Sequence, residues 1–227
     1  MIGIIAAMEE EASILREAIE NQNTNQICGI RFFEGHIGSQ EVVLCKSGVG
    51  KVNSAIATTI LIEYYSCAFI LNTGIAGGIT GVETKDIVIA RELSYSDVDT
   101  TQFGYAYGQV PGMPKTFMPN LEGIIKVKQI LKRLGLNYKE AKVYSADSFV
   151  SSLEQVSKVD ISKPCIAEME GASVAQTCVR AGVDFIVLRF VSDIVGKTNQ
   201  IADYTAFESE MAKRSSTICL EIIKNLE

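Results

Sequence analysis

The residues of this 227-residue chain best placed to do chemistry are carboxylates that directly follow apolar runs. Glu9-Glu10-Glu11 comes soon after Ile2-Gly3-Ile4-Ile5-Ala6, Glu168-Met169-Glu170 follows Cys165-Ile166-Ala167, and Ser192-Asp193 follows Phe190-Val191. Ligands of open α/β sheets bind beyond the carboxyl ends of the strands, so three acidic ends on one edge point to a cleft that exchanges protons. Each also has a plain structural reading, because glutamates favour a first helical turn and Ser192-Asp193 can serve as a capping segment. Arg189 interrupts Phe185-Ile186-Val187-Leu188-Arg189-Phe190-Val191, and a guanidinium inside a buried strand needs a carboxylate partner. It shares strand parity with Asp193, so the two can point to one face; a structural ion pair is as open as a catalytic one.

Asn72-Thr73-Gly74-Ile75-Ala76-Gly77-Gly78 fits neither G-x-G-x-x-G nor the Walker A spacing, which argues against a dinucleotide or ATP site. Taken alone, this stretch reads as a tight turn after a strand, or as a place where a ligand nears the backbone. His36, the only histidine, falls inside a strand pattern and not at its carboxyl end, so nucleophilic triads are set aside. Cys28, Cys45, Cys67, Cys165, Cys178 and Cys219 form no CxxC pair and read as reduced core thiols of an intracellular protein, without metal ligation.

Short apolar runs alternating with amphipathic stretches must position these groups, and they predict an α/β domain with strands buried on both faces. Strands are expected at 2–6, 31–37, 41–46, 68–72, 87–91, 141–145, 165–167 and 184–191, and helices at 9–21, 51–65, 121–134, 172–181 and 204–224. Only Gly38-Ser39-Gln40 separates the second and third strands, a hairpin-length connection, so the sheet is mixed. Residues 94–120 carry Gly104, Gly108, Gly112 and three of the four prolines, and predict a long irregular connection of functional or interfacial use.

With 47% hydrophobic and 21% charged residues the chain reads as one globular domain over residues 1–227. A net charge of −6 without a Lys/Arg cluster argues against nucleic-acid partners. No apolar run approaches the roughly 20 residues needed to cross a bilayer. The first apolar run lacks a basic leader and meets three glutamates, so it reads as a buried strand and not as a signal sequence.

Taken in order, six segments resemble the 5′-methylthioadenosine/S-adenosylhomocysteine nucleosidases of the larger purine nucleoside phosphorylase family. They are residues 2–11, Lys46-Ser47-Gly48-Val49-Gly50-Lys51-Val52, residues 72–78, residues 103–112, Ala167-Glu168-Met169-Glu170 and Arg189-Phe190-Val191-Ser192-Asp193. The resemblance implies a three-layer α/β/α fold around a central mixed, barrel-like sheet. It also implies a homodimer whose 103–111 loop reaches the neighbouring site, and with the thiols read as reduced the expected location is cytoplasmic. The implied reaction is hydrolysis of the N-glycosidic bond of 5′-methylthioadenosine and S-adenosylhomocysteine, with 5′-deoxyadenosine a further substrate and neither metal nor cofactor required.

Carried over by position, the resemblance makes Asp193 the acid that protonates purine N7 and Glu11 the base that holds and deprotonates water. Glu170 would bind the ribose hydroxyls, Arg189 would orient the water-side carboxylates, and Met169 would lie under the sugar. Phe149 would stack on adenine while the backbone of Val150 reads its edge. Met8, Val49, Ile201, Tyr204 and Phe207 would line the pocket for the ribose and 5′-alkylthio group, with Phe103 and Pro111 supplied by the neighbouring subunit. Ile75, Ala76, Gly77, Glu168 and Ser192 complete the implied substrate-binding set. Ile75 departs from the pattern, standing where nucleosidases of the family often have serine and phosphorylases need a polar, phosphate-facing group. Its aliphatic side chain offers phosphate no hydrogen bond, which favours water as nucleophile. A purine nucleoside phosphorylase and a catalytically silent nucleoside-binding protein are the alternative readings.

Overall fold

The computed structural model describes residues 1–226. Nine strands form one mixed sheet in the order β2-β3-β4-β1-β5-β8-β7-β6-β9, and β9 returns to pair with β5. That last pairing closes β5, β8, β7, β6 and β9 into a five-strand ring, with β1, β4, β3 and β2 as an open extension. The strands are β1 (Ile2–Ala6), β2 (Glu20–Ile27), β3 (Ile30–Ile37), β4 (Gln40–Lys46), β5 (Phe69–Thr80), β6 (Ile87–Tyr95), β7 (Lys139–Ser145), β8 (Cys165–Glu168) and β9 (Asp184–Ile194). The helices are α1 (Glu9–Glu17), α2 (Lys51–Glu63), α3 (Leu121–Arg133), α4 (Gly171–Ala181) and α5 (Gln200–Ile223).

Two apolar layers sandwich the sheet, giving the expected three-layer α/β/α architecture. On one side Ala57 and Leu61 of α2 and Ala172, Val174, Ala175 and Cys178 of α4 pack with Phe185, Val187 and Val191 of β9. On the other, α1, α3 and α5 cover Ile186, Leu188 and Phe190 of the same strand. Alternate residues of β9 thus enter opposite cores, which explains its nearly continuous apolar run. Helix α3 shows how a local pattern becomes packing: Ile124, Val127, Ile130 and Leu131 recur on one face and are buried. Each contributes roughly 1.5–3 kcal/mol of burial, and Asn120 caps the helix by accepting from the Gly123 N–H at 2.7 Å.

The predicted hairpin is present, with β3 and β4 antiparallel in register from Phe32↔Cys45 to Ile37↔Gln40. The structure corrects several other expectations. Strand β2 was not expected, because its sequence ENQNTNQI is polar throughout and exposed as far as Gln26. As an edge strand it needs only the backbone bonds of β3, not an apolar face. Its presence ends α1 at Glu17 instead of residue 21. Cys28 and Gly29 join β2 to β3 with φ of 51° and 76°, the left-handed pair of a tight hairpin turn, so Cys28 is exposed while the other five cysteines are buried. Helix α5 begins at Gln200, four residues before its expected start.

The larger corrections concern β5 and β9, which run on to Thr80 and Ile194 through segments expected to lie beyond the strands. Their extensions pair with each other and β5 also pairs with β8, so three-dimensional pairing overrides the local turn signal of the glycines. A β-carbon on Gly74 would lie 2.9 Å from Glu11 Oε1, and one on Gly77 would lie 3.2 Å from Asp193 Oδ2. These glycines are strand residues whose missing side chains make room for two carboxylates.

Candidate active site

Glu11, Glu168, Glu170 and Asp193 converge on one cleft of about 100 Å³ at the ends of β1, β5, β8 and β9. A groove of about 560 Å³ between α2 and α4 is larger, but none of these carboxylates lines it. The cleft is therefore the chemical candidate.

Glu11 sits in the first turn of α1 and is 2% exposed, unlike its neighbours Glu9 and Glu10. Its Oε2 accepts from the Ala7 and Met8 N–H groups at 2.9 and 3.0 Å, and its Oε1 accepts from the Ile75 N–H at 3.1 Å. Burial raises its pKa; the backbone donors and the charge of Arg189 oppose that shift. Glu9 follows the plain reading of a helix-start glutamate and pairs at the surface with Arg16 and Lys46.

Glu168 and Glu170, two residues apart, have different duties. Glu168 Oε2 accepts from the N–H groups of Glu170 and Gly171 at 2.9 and 2.7 Å, capping α4, and from Arg189 Nη2 at 2.5 Å. Its Oε1 accepts from the Ser145 hydroxyl. Glu170 keeps a freer carboxylate: Oε1 accepts from the Gly50 N–H at 2.9 Å. Burial, then the charge of Glu168, pushes its pKa up to about 8 against the pull of Arg189.

Asp193, 1% exposed, receives the Ser192 hydroxyl on Oδ1 at 2.6 Å and Gln200 Nε2 on Oδ2 at 2.8 Å. Burial raises its pKa, while those two donors lower it. The parity argument linking it to Arg189 fails, because the β5–β9 register slips between Val191 and Asp193. Val191 pairs with Ala76 but Asp193 with Gly77, so Ser192 is the extra residue of a bulge and Asp193 turns to the face opposite Arg189, which pairs with Gly74. Arg189 instead holds Glu168 and Asn72, the latter at 2.6 Å.

Of the other residues expected here, Met8, Val49, Ile75, Ala76, Gly77, Phe149, Met169, Ser192 and Tyr204 line the cleft. Phe149 and Tyr204 meet edge to face with ring centroids 5.3 Å apart. Six expected residues do not line it, Arg189 behind Glu168 and five others. Val150 is buried beside the cleft, with its carbonyl accepting from Gln200; Phe207 packs toward the α5 core; Ile201 is exposed on the first turn of α5. Phe103 is 79% exposed and Pro111 is exposed, and no residue of 96–118 lines the cleft of its own chain. Sequence reasoning missed Gln200, Ser145, Asn72 and the Gly50 N–H. Only Asn72 carried a signal, as a polar residue ending an apolar run.

Chemically, the cleft joins three carboxyls with raised pKa values, one of them (Glu11) in a cradle of N–H groups, and an apolar wall with two aromatic rings. It holds groups able to protonate a departing atom and to take a proton from an attacking one, beside a surface for a flat ligand.

Comparison with known proteins places this arrangement in a family. The family model described as "Phosphorylase superfamily" matches residues 1–224. The 5′-methylthioadenosine/S-adenosylhomocysteine nucleosidase of Staphylococcus haemolyticus is 40% identical over 229 residues, covering 100% of both chains. The crystal structure of the S-adenosylhomocysteine nucleosidase from Streptococcus pyogenes, in complex with 5-methylthiotubericidin, superposes with a TM-score of 0.93 at 37% identity, over 100% of this chain and 97% of that one. The Neisseria meningitidis 5′-methylthioadenosine/S-adenosylhomocysteine nucleosidase in complex with methylthio-immucillin-A gives a TM-score of 0.93 at 34% identity, over 98% of each chain. With the fold, the acidic cleft and these full-length likenesses in agreement, the chain belongs to the phosphorylase superfamily and, within it, to the 5′-methylthioadenosine/S-adenosylhomocysteine nucleosidases.

Proposed function

We propose that the protein hydrolyses the N-glycosidic bond of 5′-methylthioadenosine and S-adenosylhomocysteine, and also of 5′-deoxyadenosine, releasing adenine and the 5′-substituted ribose. The observation that carries hydrolysis, as opposed to phosphorolysis, is the lack of a cation lining the cleft. Four carboxyl groups line it, no Lys, Arg or His among the described residues does, and the nearby buried guanidinium of Arg189 is spent on Glu168. A phosphate dianion would be desolvated there without a cation to meet it, whereas water carries no such penalty.

In this reading Asp193 gives its proton to N7 of the purine, making adenine a neutral leaving group as the C–N bond breaks. The sugar that remains is oxocarbenium-like, and the carboxylate of Glu11 stabilises it. Glu11 takes a proton from the attacking water, and Glu170 accepts from the ribose hydroxyls. The raised pKa of Asp193 suits an acid that must hold its proton until substrate arrives. The apolar side chains of Met8, Val49 and Ile75 suit a thioether, which asks for few hydrogen bonds.

The working unit in this reading is a homodimer, with Phe103 and Pro111 completing the neighbour's cleft. Their exposure and their absence from their own cleft support this. The α2–α4 groove, lined in part by Val98 and Val110 of the same loop, offers the surface for the second copy. The cytoplasm is the proposed location, since it would keep the five buried thiols reduced. Among the described residues no helix is long and apolar enough to cross a membrane.

Purified protein incubated with 5′-methylthioadenosine in phosphate-free buffer is expected to release adenine and methylthioribose. Strict dependence on phosphate, with a sugar 1-phosphate as product, would establish a phosphorylase instead. Tight binding of nucleoside without turnover at any pH would make it a silent binding protein. Running 5′-methylthioadenosine, S-adenosylhomocysteine, 5′-deoxyadenosine and aminodeoxyfutalosine side by side ranks the 5′-groups.

A further inference from the structure

Gln200, the first residue of α5, is buried, and its carboxamide joins the segment 193–196 just ahead of it to Val150, fifty residues away in sequence. Oε1 accepts from the Gly196 N–H at 2.9 Å; Nε2 donates to the Val150 carbonyl at 2.9 Å and to Asp193 Oδ2 at 2.8 Å. Its partners fix the orientation of the amide. A flipped group would set oxygen against a carbonyl and a carboxylate, and NH2 against an N–H.

The two donors to Asp193 are not equivalent. The Ser192 hydroxyl has a second acceptor, the Ala76 carbonyl at 3.3 Å, so it can rotate and adapt when the carboxyl gains or loses a proton. Gln200 has no such freedom, because both ends of its amide are held. It is therefore the rigid element of the pair, and it links the carboxyl to the same backbone carbonyl that flanks the proposed base-binding wall.

We propose that Gln200 is a positioning residue for the glycosidic cleavage, locking the Asp193 carboxyl to the Val150 backbone so that the proton donor and the base-reading segment move as one unit. The inference rests on the reading of Asp193 as the general acid. A purine whose edge is read at Val150 then presents N7 to a carboxyl of fixed orientation, which lowers the entropic cost of proton transfer. Gln200 also sets the pH at which that carboxyl releases its proton, because its donor favours the anion. The other groups facing Asp193 are Asp203 and Tyr204 of α5, with Glu11 of α1 and Glu170 at the start of α4 across the cleft.

Gln200→Met preserves length and removes the amide. With 5′-methylthioadenosine its kcat/KM is expected to fall about tenfold or more, the scale of one hydrogen bond to a charged group. Most of the loss should be in kcat. The basic limb of the pH profile should move upward, since an anion deprived of a donor holds its proton to higher pH. Gln200→Glu should be impaired most at high pH, where a second carboxylate faces Asp193 Oδ2, and should recover as acidification restores a donor. An unchanged profile and kcat in folded Gln200→Met, with only a lower Tm, would reduce Gln200 to a structural role. Should that variant not fold, the pH dependence of Gln200→Glu decides by the same criterion. Asp193→Asn is measured alongside. Retained activity there overturns the general-acid reading itself, whereas an inactive Asp193→Asn beside an unshifted Gln200→Met overturns only the positioning role.

Discussion

Arg189 Nη2 lies 2.5 Å from Glu168 Oε2, and both side chains are essentially sealed from solvent. This contact divides the acids of the cleft. Glu168 is paired with the guanidinium and saturated by Ser145 and the N–H groups of Glu170 and Gly171, while Glu170, two residues on, has the Gly50 N–H and no direct cation among the described residues. The Glu168–Arg189 pair is thus built into the wall, and the remaining carboxyls are left to do chemistry.

Removing the guanidinium tests that division. Arg189→Met leaves Glu168 and Asn72 buried without their partner, and unfolding in urea is expected to show a loss of about 3–5 kcal/mol, the usual cost of orphaning a buried charge. A loss under about 1 kcal/mol would mean that water reaches the pair in solution.

Glu11→Gln exchanges the proposed base for an amide that cannot take a proton from water. Its NH2 would also face at least one of the N–H donors that now hold the carboxylate. Turnover of 5′-methylthioadenosine should fall at least about a hundredfold, with KM changing far less. Adenine release within a few-fold of the parent would remove Glu11 from the role.

Stability should carry the signature of Glu170. Between the usual glutamate value of 4.5 and about 8, the folded protein holds a proton that the unfolded chain has already released. Raising pH through this window therefore costs stability. Glu170→Gln mimics the protonated side chain and should melt several degrees above the parent near about pH 8. That advantage should shrink toward zero near about pH 5, and catalysis should be lost throughout. Melting curves that stay parallel across the range would show that burial of the charge is not felt.

Gly74→Ala places a methyl group 2.9 Å from Glu11 Oε1, inside contact distance of a carboxylate held on three N–H groups. Activity should drop about tenfold or more, because small displacements of a reacting group are costly, while the fold survives in circular dichroism. Wild-type kcat would show that Glu11 has slack there.

Much of the architecture was legible because hydrophobic periodicity is a local property. The apolar run of β1, the spacing of α3 and the short Gly38-Ser39 connection each carry their structure in a few adjacent residues. Acids placed just after apolar runs likewise announced the cleft, since the direction of a strand determines which of its ends they occupy. The order of the motifs also identified the family, and the full-length likenesses bear that out.

Distant partners decided the rest. Polar β2 exists because β3 offers it an edge, and β5 continues through its glycines because β8 and β9 flank it. The bulge at Ser192 separates Asp193 from Arg189 despite their shared parity. Which acid is spent and which is free, and that Gln200 grips Asp193, depend on atoms brought together from β5, β7, β8, β9 and α5. Residue types and spacing place the carboxylates at the cleft; their hydrogen bonds and charge state are set only where segments remote in sequence exclude water together.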